Sequence, residues 1–487
     1  MLIVIFVLYL VVVLGIGLWT SRRSRTESDY VLGGGKLSGT TLALSERATG
    51  ESAWLLLGLT GHAYAEGISC LWIALGCVLG ILFIWFVMSS RLREMTERTG
   101  ALTVPGLLSR RYPGSERSIG ILSAIVVIFF FLFYIAAQFS GAGSILEETF
   151  GIDPTLGIVI GSVVVTLYCL LGGFIAVVVT DLIQSILMIG TLVVLPIVAL
   201  FVVAAHDVSL AESLREAGPA LSTVTAGHGG LAAVLFVLSG LSWALGYTGQ
   251  PQLLTRMMAM RSDKDVKRGK WVATVWTLLA YTGALLIGIT GFALVKAGVL
   301  GGEAGNLVEE AEDILPVMIM GLLTPILAGI LLSGAISAMM STADSELLVC
   351  SSSASEDVVA NLSPRRPPQR KMLFLTRILT VAIGALALVL ALTMEETVYS
   401  FVSYAWAGLG SSFGPALVLM LFWKRFSRAG VYASLICGSV GTVVWKNLLL
   451  QPTGVSERLG SYVFAFLMAV LFSLLLPDRE RATEKAA

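Results

Sequence analysis

The chain has 487 residues, of which 56% are hydrophobic and only 13% are charged. Soluble proteins carry about 25% charged residues and could not bury so large a share of apolar surface, so this composition indicates a membrane protein. It excludes a soluble enzyme, a nucleic-acid-binding protein, a disordered scaffold and a disulfide-rich secreted domain, and the balance of 32 basic against 32 acidic residues points to no charged partner.

Apolar runs of membrane-spanning length recur along the whole chain and predict an all-α polytopic membrane protein with about 13 transmembrane helices. The predicted spans are 3–20, 38–64, 69–90, 118–147, 154–171, 175–203, 229–255, 271–297, 316–350, 373–394, 398–423, 429–449 and 459–476. The polar stretches between these spans are too short for a separate soluble domain. We therefore expect residues 1–487 to form a single membrane transport domain.

The charges between the spans predict the orientation of the chain. Arg22, Arg23 and Arg25 follow the first span and no basic residue precedes it, which predicts a retained helix with its amino end outside. An odd number of spans then places the carboxyl end in the cytoplasm. Most of the 32 basic residues fall on the cytoplasmic side in this arrangement, whereas the outer loop 299–313 is acidic. The expected location is the cytoplasmic membrane of a bacterium.

Two predicted spans contain residues that interrupt a membrane helix. The second span carries Glu46, Arg47 and Glu51, and each ionisable group at membrane depth costs about 2.5–3.5 kcal/mol. The seventh span carries Gly246-Tyr247-Thr248-Gly249-Gln250-Pro251, in which the proline removes a backbone donor. Either interruption alone could also be a packing kink.

The two interrupted spans are five apart, and this spacing predicts an internal repeat. A repeat of five spans has an odd length, so its two copies lie in the membrane in opposite orientations. We expect a core of two inverted five-helix repeats at 38–203 and 229–423. A peripheral first helix (3–20) and two peripheral helices (429–476) complete the chain.

Two polar clusters could bind a hard cation through oxygen ligands. One is Ser341-Thr342-Ala343-Asp344-Ser345-Glu346 at the end of the ninth span, and the other is Thr180-Asp181 at the start of the sixth. The alternative is that these residues only mark or cap helix ends. No ATP-binding motif occurs in the sequence, so uphill transport would have to use an ion gradient.

Aromatic residues beside the two interruptions could line a solute cavity, although aromatic residues of membrane proteins often face lipid instead. They are Trp54, Tyr134, Trp243, Tyr247, Tyr404 and Trp406. Trp243 and Tyr247 are the strongest candidates, because they lie four residues apart on one helix face and directly precede the second interruption.

Several short motifs follow one another along the chain: Asp29-Tyr30-Val31-Leu32-Gly33-Gly34, Ser52-Ala53-Trp54-Leu55-Leu56-Leu57-Gly58, Gly172-Gly173-Phe174 with Thr180-Asp181, Gly246-Tyr247 with Gly249-Gln250-Pro251, Met340-Ser341-Thr342 and Phe401-Val402-Ser403-Tyr404-Ala405-Trp406-Ala407-Gly408. In this order they resemble the sodium:solute symporter family, and among its members the proline-type symporters most closely. The resemblance extends over residues 28–450.

The resemblance implies specific binding residues. Sodium would be held by the backbone carbonyls of Ala48, Glu51 and Ala338 and by the hydroxyls of Ser341 and Thr342. A second sodium would lie near Asp181, with Ser341, Asp344 and Ser345 as partners. The implied solute residues are Ser52, Ala53, Tyr134, Trp243, Tyr247 and Pro251, to which we add Trp54, Gln250 and Tyr404 from the residues near the interruptions.

The sequence departs from the proline-type pattern inside the second span. Proline-type members commonly carry an aspartate that matters for sodium at the position of Gly50, and the neighbouring Glu51 is the candidate to replace its charge. Glu46 and Arg47 add charges that the pattern lacks. This departure weakens the assignment of proline as the solute.

We expect sodium-coupled symport of a small organic solute, namely proline or a related amino acid, by alternating access. The partners would be the solute, the sodium ion and the lipid bilayer, without nucleic acid and without a cofactor other than the coupling ion. A sodium symporter for a sugar, a carboxylate or another organic acid is the main alternative. A channel or a polytopic membrane enzyme is a more distant one, and we expect no enzymatic activity.

Overall fold

The computed structural model describes residues 2–21, 31–33, 37–300, 310–363, 365, 367–393 and 396–478. Within these ranges every regular element is a helix, which confirms the predicted all-α fold. The basic cluster at 22–25, the motif residues Asp29 and Tyr30, and most of the acidic outer loop lie outside the described residues.

The described chain contains long helices joined by short helical turns. The α-helices are α1 (Leu2–Ser21), α2 (Gly39–Gly50), α3 (Thr60–Glu66), α4 (Leu71–Phe83), α5 (Ser89–Thr99), α6 (Val104–Arg110), α7 (Glu116–Phe150), α8 (Pro154–Ala205), α9 (Leu210–Glu216), α10 (Pro219–Ser222), α11 (Gly230–Leu241), α12 (Trp243–Tyr247), α13 (Pro251–Met258), α14 (Asp263–Lys296), α15 (Ile314–Leu322), α16 (Pro325–Ser353), α17 (Gln369–Thr393), α18 (Val398–Phe422), α19 (Arg428–Val444), α20 (Leu450–Thr453) and α21 (Glu457–Leu475). π-Helical turns occupy Trp54–Leu59, Ile84–Met88, Ala354–Ala360 and Trp445–Leu449, and 3₁₀ turns occupy Gly67–Cys70 and Ala311–Asp313.

Ten helical stretches in the described part of the chain are long and apolar enough to cross a membrane. Two shorter apolar helices, Leu2–Ile16 and Pro154–Leu167, add to them. The stretch Trp54–Thr99 is continuous through the end of the second predicted span and all of the third. The polytopic membrane architecture is therefore confirmed, while the number of 13 spans and the division into repeats stay predictions.

Both predicted interruptions are present. α2 ends at Gly50, where Glu51 adopts φ −104° and ψ 12°, and a π-helical turn begins at Trp54. α12 ends at Tyr247, and α13 begins at Pro251 after Gln250 in an extended conformation (φ −87°, ψ 103°). The residue before a proline is driven out of the helical region by the proline ring, which explains the extended Gln250.

The ninth predicted span, 316–350, was wrong at its start. α15 ends at Leu322, and α16 begins only at Pro325. Thr324 between them is extended (φ −66°, ψ 152°), because the proline ring excludes the helical region for the residue before it. The apolar run continues across this turn, so hydropathy alone could not reveal it.

The fifth and sixth predicted spans are two helical segments of α8 that meet at a sharp kink. Gly173 lies inside α8 with φ 59° and ψ −163°, a conformation that is essentially restricted to glycine. The kink separates Pro154–Leu167 from the longer span Gly173–Ala205, which carries Asp181. Gly173 therefore sets the direction from which Asp181 approaches the centre of the molecule.

Replacing Gly173 with alanine should destabilise the protein by about 1–3 kcal/mol, because the added Cβ disfavours this backbone conformation. Gly190→Ala is the matched control, since Gly190 lies in the same helix and no atom would approach its added Cβ within 4 Å. The thermal unfolding temperatures of both variants in detergent check this prediction. Equal unfolding temperatures would contradict it.

The interrupted helices lie at the centre of the packing. α2 packs against α8, α13, α14 and α16, and α16 also packs against α7 and α8. The largest fully buried side chains of the protein include Trp54, Trp243, Trp406, Tyr134 and Tyr247. The fold thus brings the ends of both interrupted helices, α16 and a cluster of aromatic rings to one buried region.

Candidate functional site

Hydroxyl groups of α16 meet backbone carbonyls at the end of α2. Ser341 Oγ donates to the carbonyl oxygen of Ala48 at 3.0 Å, and Thr342 Oγ1 donates to that of Thr49 at 2.9 Å. Both hydroxyls are also within 3.1 Å of the carbonyl oxygen of Ala338. All of these residues are fully buried. The arrangement concentrates oxygen atoms, the ligands a hard cation prefers, beside the interruption.

These contacts bring together four of the five predicted sodium ligands: Ala48, Ala338, Ser341 and Thr342. The sequence missed Thr49, whose carbonyl accepts from Thr342. The fifth predicted ligand, Glu51, follows directly after α2, and its backbone N–H donates to the Arg47 carbonyl at 3.1 Å. Its side chain belongs to a different cluster, described below.

Asp181 of α8 forms a buried ion pair with Arg256 of α13, at 3.2 Å between Oδ2 and Nη2. The same Asp181 oxygen accepts from Ser45 Oγ at 2.6 Å. Arg256 Nη2 also donates to Thr49 Oγ1 at 2.9 Å and to Ser345 Oγ at 2.5 Å. One guanidinium therefore connects α2, α8, α13 and α16.

Only some of the residues predicted to bind a second sodium ion lie close to Asp181. Ser345 meets Asp181 through their shared partner Arg256, and Asp344 is connected through Ser345 Oγ, which donates to Asp344 Oδ1 at 3.0 Å. One oxygen of each carboxylate, Asp181 Oδ1 and Asp344 Oδ2, has no hydrogen-bond partner among the described residues. In the sequence Arg256 precedes the basic stretch 261–270, but its side chain is only 1% exposed and lies inside the protein.

The aromatic residues near the interruptions form one cluster. Trp54 and Trp243 stack with their ring centroids 4.2 Å apart and their planes inclined by 9°. Trp406 of α18 packs edge-on against Tyr247 at 4.6 Å, and its indole N–H donates to the Trp243 carbonyl at 3.2 Å. Tyr134 joins at a centroid distance of 6.5 Å from Trp406. We call these five rings the aromatic cluster.

Smaller predicted residues border the aromatic cluster. Ser52 Oγ lies 3.3 Å from the hydroxyl of Tyr134, and the Ala53 N–H donates to Oε1 of Gln138 at 2.9 Å. The Gln250 amide donates to the carbonyls of Gly246 (3.3 Å) and Trp406 (3.2 Å), so it ties the second interruption to α18. Pro251 is buried as the first residue of α13.

Tyr404 does not join the aromatic cluster. It is partly buried and packs edge-on against Phe130 at 5.5 Å and Phe133 at 5.3 Å, with the Lys446 amine 4.9 Å from its ring centroid. Trp406, two residues later, points into the cluster. Residues two apart on an α-helix face nearly opposite sides, so only one of the two could do so.

The sequence did not indicate that Tyr281 of α14 lies at the site. Its hydroxyl lies 2.7 Å from that of Tyr247, and its ring centroid lies 6.4 Å from that of Trp54. It lies in an apolar span without proline or charge nearby. A buried tyrosine hydroxyl needs a polar partner, but neither its burial nor its partner can be recognised before the fold is known.

Three charged residues at the end of α2 form a buried cluster of their own. Arg47 pairs with Glu46 through two hydrogen bonds and with Glu51 Oε1 through Nη1 at 2.6 Å. A Cβ atom on Gly50 would lie 3.3 Å from Arg47 Nη2. The guanidinium therefore occupies the space that a side chain at position 50 would need.

Comparisons with known proteins agree with this architecture. A model of the sodium:solute symporter family matches residues 30–438. The chain is 36% identical to the high-affinity proline transporter PutP of Bacillus subtilis (strain 168), over 95% of each chain. It is 33% identical to the sodium/proline symporter of Escherichia coli (strain K12), over 99% of this chain and 94% of that protein.

A solved structure shows the same fold. The outward-open state of a Na⁺-coupled sialic acid symporter matches with a TM-score of 0.79 and 18% identity, over 98% of this chain and 99% of that one. At that identity the likeness concerns the fold alone. The family match and the relatives above 30% identity carry the assignment: the chain belongs to the sodium:solute symporter family.

Proposed function

We propose that the protein is a sodium-coupled symporter of proline or a closely related amino acid. The family is one of symporters, and the similar transporters named above carry proline in their names. The observation that carries the proposal is the contact of the Ser341 and Thr342 hydroxyls with the carbonyls of α2, directly beside the aromatic cluster. Family membership argues against the membrane-enzyme alternative.

The proposed mechanism uses the junction between α16 and α2. A sodium ion bound by the carbonyls and hydroxyls of this junction would hold the two helices together and complete the solute site at the interruption. Release of sodium to the cytoplasm would let the helices separate and free the solute. Such coupling requires that sodium and solute bind one state of the transporter more tightly than the other.

The remaining predictions on organisation become part of this proposal. We propose a bacterial cytoplasmic membrane as the location, with the amino end outside and the carboxyl end in the cytoplasm. The two inverted repeats would comprise 38–203 and 229–423, flanked by the peripheral helices 3–20 and 429–476. The bilayer, the solute and the sodium ion are the proposed partners.

Uptake by the purified protein in proteoliposomes tests this function. An inward sodium gradient should drive saturable accumulation of radiolabelled L-proline, and a potassium gradient of the same size should not. Competition by unlabelled amino acids, sugars and carboxylates identifies the solute class. Saturable uptake of a sugar or a carboxylate but not proline would favour the main alternative, a sodium symporter for one of those solutes. Flux that does not saturate would indicate a channel.

Replacing Trp243 or Tyr247 with alanine should weaken solute affinity by about 1–2 kcal/mol, or roughly 5- to 30-fold, because the solute loses an apolar wall. Trp271→Ala is the matched control, since Trp271 is 59% exposed on the outer surface of α14. The measurement is the half-saturation concentration of L-proline in sodium-driven uptake. Unchanged values in both cluster variants would remove these rings from the solute site.

A further inference from the structure

The charges at the end of α2 do not cancel. Glu46, Arg47 and Glu51 are fully buried, and they are joined by two ion pairs. With all three groups ionised, two carboxylates and one guanidinium leave one net negative charge. A net charge at membrane depth is unfavourable unless a cation offsets it, so this cluster is suited to binding a cation.

The unbalanced charge can be located on one atom. Both oxygens of Glu46 are used, because Arg47 donates to each of them and the Trp85 indole N–H donates to Oε2 at 2.9 Å. Glu51 accepts from Arg47 at Oε1, but its Oε2 is buried without a hydrogen-bond partner in the part of the chain that the structure describes. The free acceptor of the cluster is therefore Glu51 Oε2.

The surroundings of Glu51 favour an organic cation over sodium. Glu51 directly precedes Ser52, whose hydroxyl lies 3.3 Å from that of Tyr134 in the aromatic cluster. Aromatic faces attract ammonium groups, whereas sodium requires a shell of oxygen ligands. The concentrated oxygen ligands lie instead at Ser341 and Thr342, which contact the carbonyls of α2.

We propose that Glu51 Oε2 binds the cationic nitrogen of the transported solute, and that Arg47 is a positioning residue for this carboxylate. Arg47 fixes Oε1 and leaves Oε2 available, and Gly50 leaves room for its guanidinium. The inference rests on the proposed function, in that the solute binds at the aromatic cluster. It narrows the solutes to compounds with a positively charged amine, imine or quaternary ammonium group.

Pairs of ligands that differ only in the cationic nitrogen test this proposal. L-Proline is compared with cyclopentanecarboxylate, and glycine betaine with 3,3-dimethylbutanoate, by calorimetric titration of the purified full-length protein in saturating sodium. The parent protein should bind at least one nitrogen-containing member about tenfold more tightly than its carbon counterpart. This preference should disappear in Glu51→Gln and persist in Glu51→Asp, which retains the charge.

Glu46→Gln is the matched variant, because it removes the same unit of charge from the same cluster but keeps Glu51 Oε2. The nitrogen preference should survive in it, even if the affinities fall. Sodium binding measured without solute should change less in Glu51→Gln than the nitrogen preference does. Equal loss of the preference in Glu46→Gln and Glu51→Gln would overturn the proposal, since net charge alone would then account for it.

The outcomes separate this inference from the proposed function. Sodium-driven proline uptake combined with equal binding of proline and cyclopentanecarboxylate would leave the symport function standing and overturn the role of Glu51. Nitrogen-dependent binding of glycine betaine without any binding of proline would refute proline as the solute but support the role of Glu51. Binding of none of the four compounds would overturn the inference.

Discussion

Replacing Arg256 with methionine should destabilise the protein by about 3–5 kcal/mol, the usual cost of removing one partner of a buried ion pair. The substitution leaves the Asp181 carboxylate buried without its cation and also breaks the donor contacts to Thr49 and Ser345. Methionine retains the volume of the side chain, so the loss reports on charge and hydrogen bonds. Thermal and denaturant unfolding in detergent provide the measurement.

A double variant separates the charge from the packing at this pair. Asp181→Asn combined with Arg256→Met removes both charges and should recover much of the stability that Arg256→Met loses. The control is Arg98→Met, because the Arg98–Glu94 pair is exposed (75% and 53%) and should contribute less than about 1 kcal/mol. If Arg256→Met unfolds like the parent protein, Arg256 does not stabilise the junction.

Replacing Ser341 or Thr342 with alanine should raise the sodium concentration for half-maximal uptake about tenfold or more, since each loss of about 1.4 kcal/mol in binding is a factor of ten. Each variant lacks one hydroxyl that contacts both a carbonyl of α2 and the Ala338 carbonyl. The measurement is sodium titration of proline uptake at a fixed membrane potential.

Ser333→Ala is the control for these variants. Ser333 lies on the same helix and is buried, but its hydroxyl donates to the Gly329 carbonyl one turn earlier. It should leave the sodium dependence unchanged. Unaltered sodium dependence in both Ser341→Ala and Thr342→Ala would show that the coupling ion binds elsewhere.

Local chemistry explains why both interruptions could be predicted. Pro251 and the glycines before it break the backbone pattern directly, and the charged run from Glu46 to Glu51 is incompatible with a lipid-facing helix. These signals lie within a few residues of their effect. The hydroxyls of Ser341 and Thr342 belong to a local run of oxygen donors, but their partner carbonyls on α2 are distant in the sequence, and the resemblance alone implied the contact with Ala48.

Partners distant in the sequence could not be predicted in this way. In the sequence Arg256 stands just before a basic stretch, and only the folding of α13 against α2 and α8 buries it beside Asp181, 75 positions earlier in the chain. Tyr404 and Trp406 are aromatic residues of the same helix, and the sequence does not distinguish them. The rotation of α18 about its axis determines which of the two faces the aromatic cluster. Such choices depend on how helices pack, which hydropathy does not encode.

The stack of Trp54 on Trp243 joins the two interrupted helices through parallel indoles 4.2 Å apart. Any movement of one helix relative to the other changes this contact. Electronic coupling between parallel chromophores depends steeply on their separation, so the near-ultraviolet circular dichroism of the unlabelled protein should differ between conformations. The protein thereby carries an intrinsic optical reporter with which sodium- and solute-induced rearrangements can be timed.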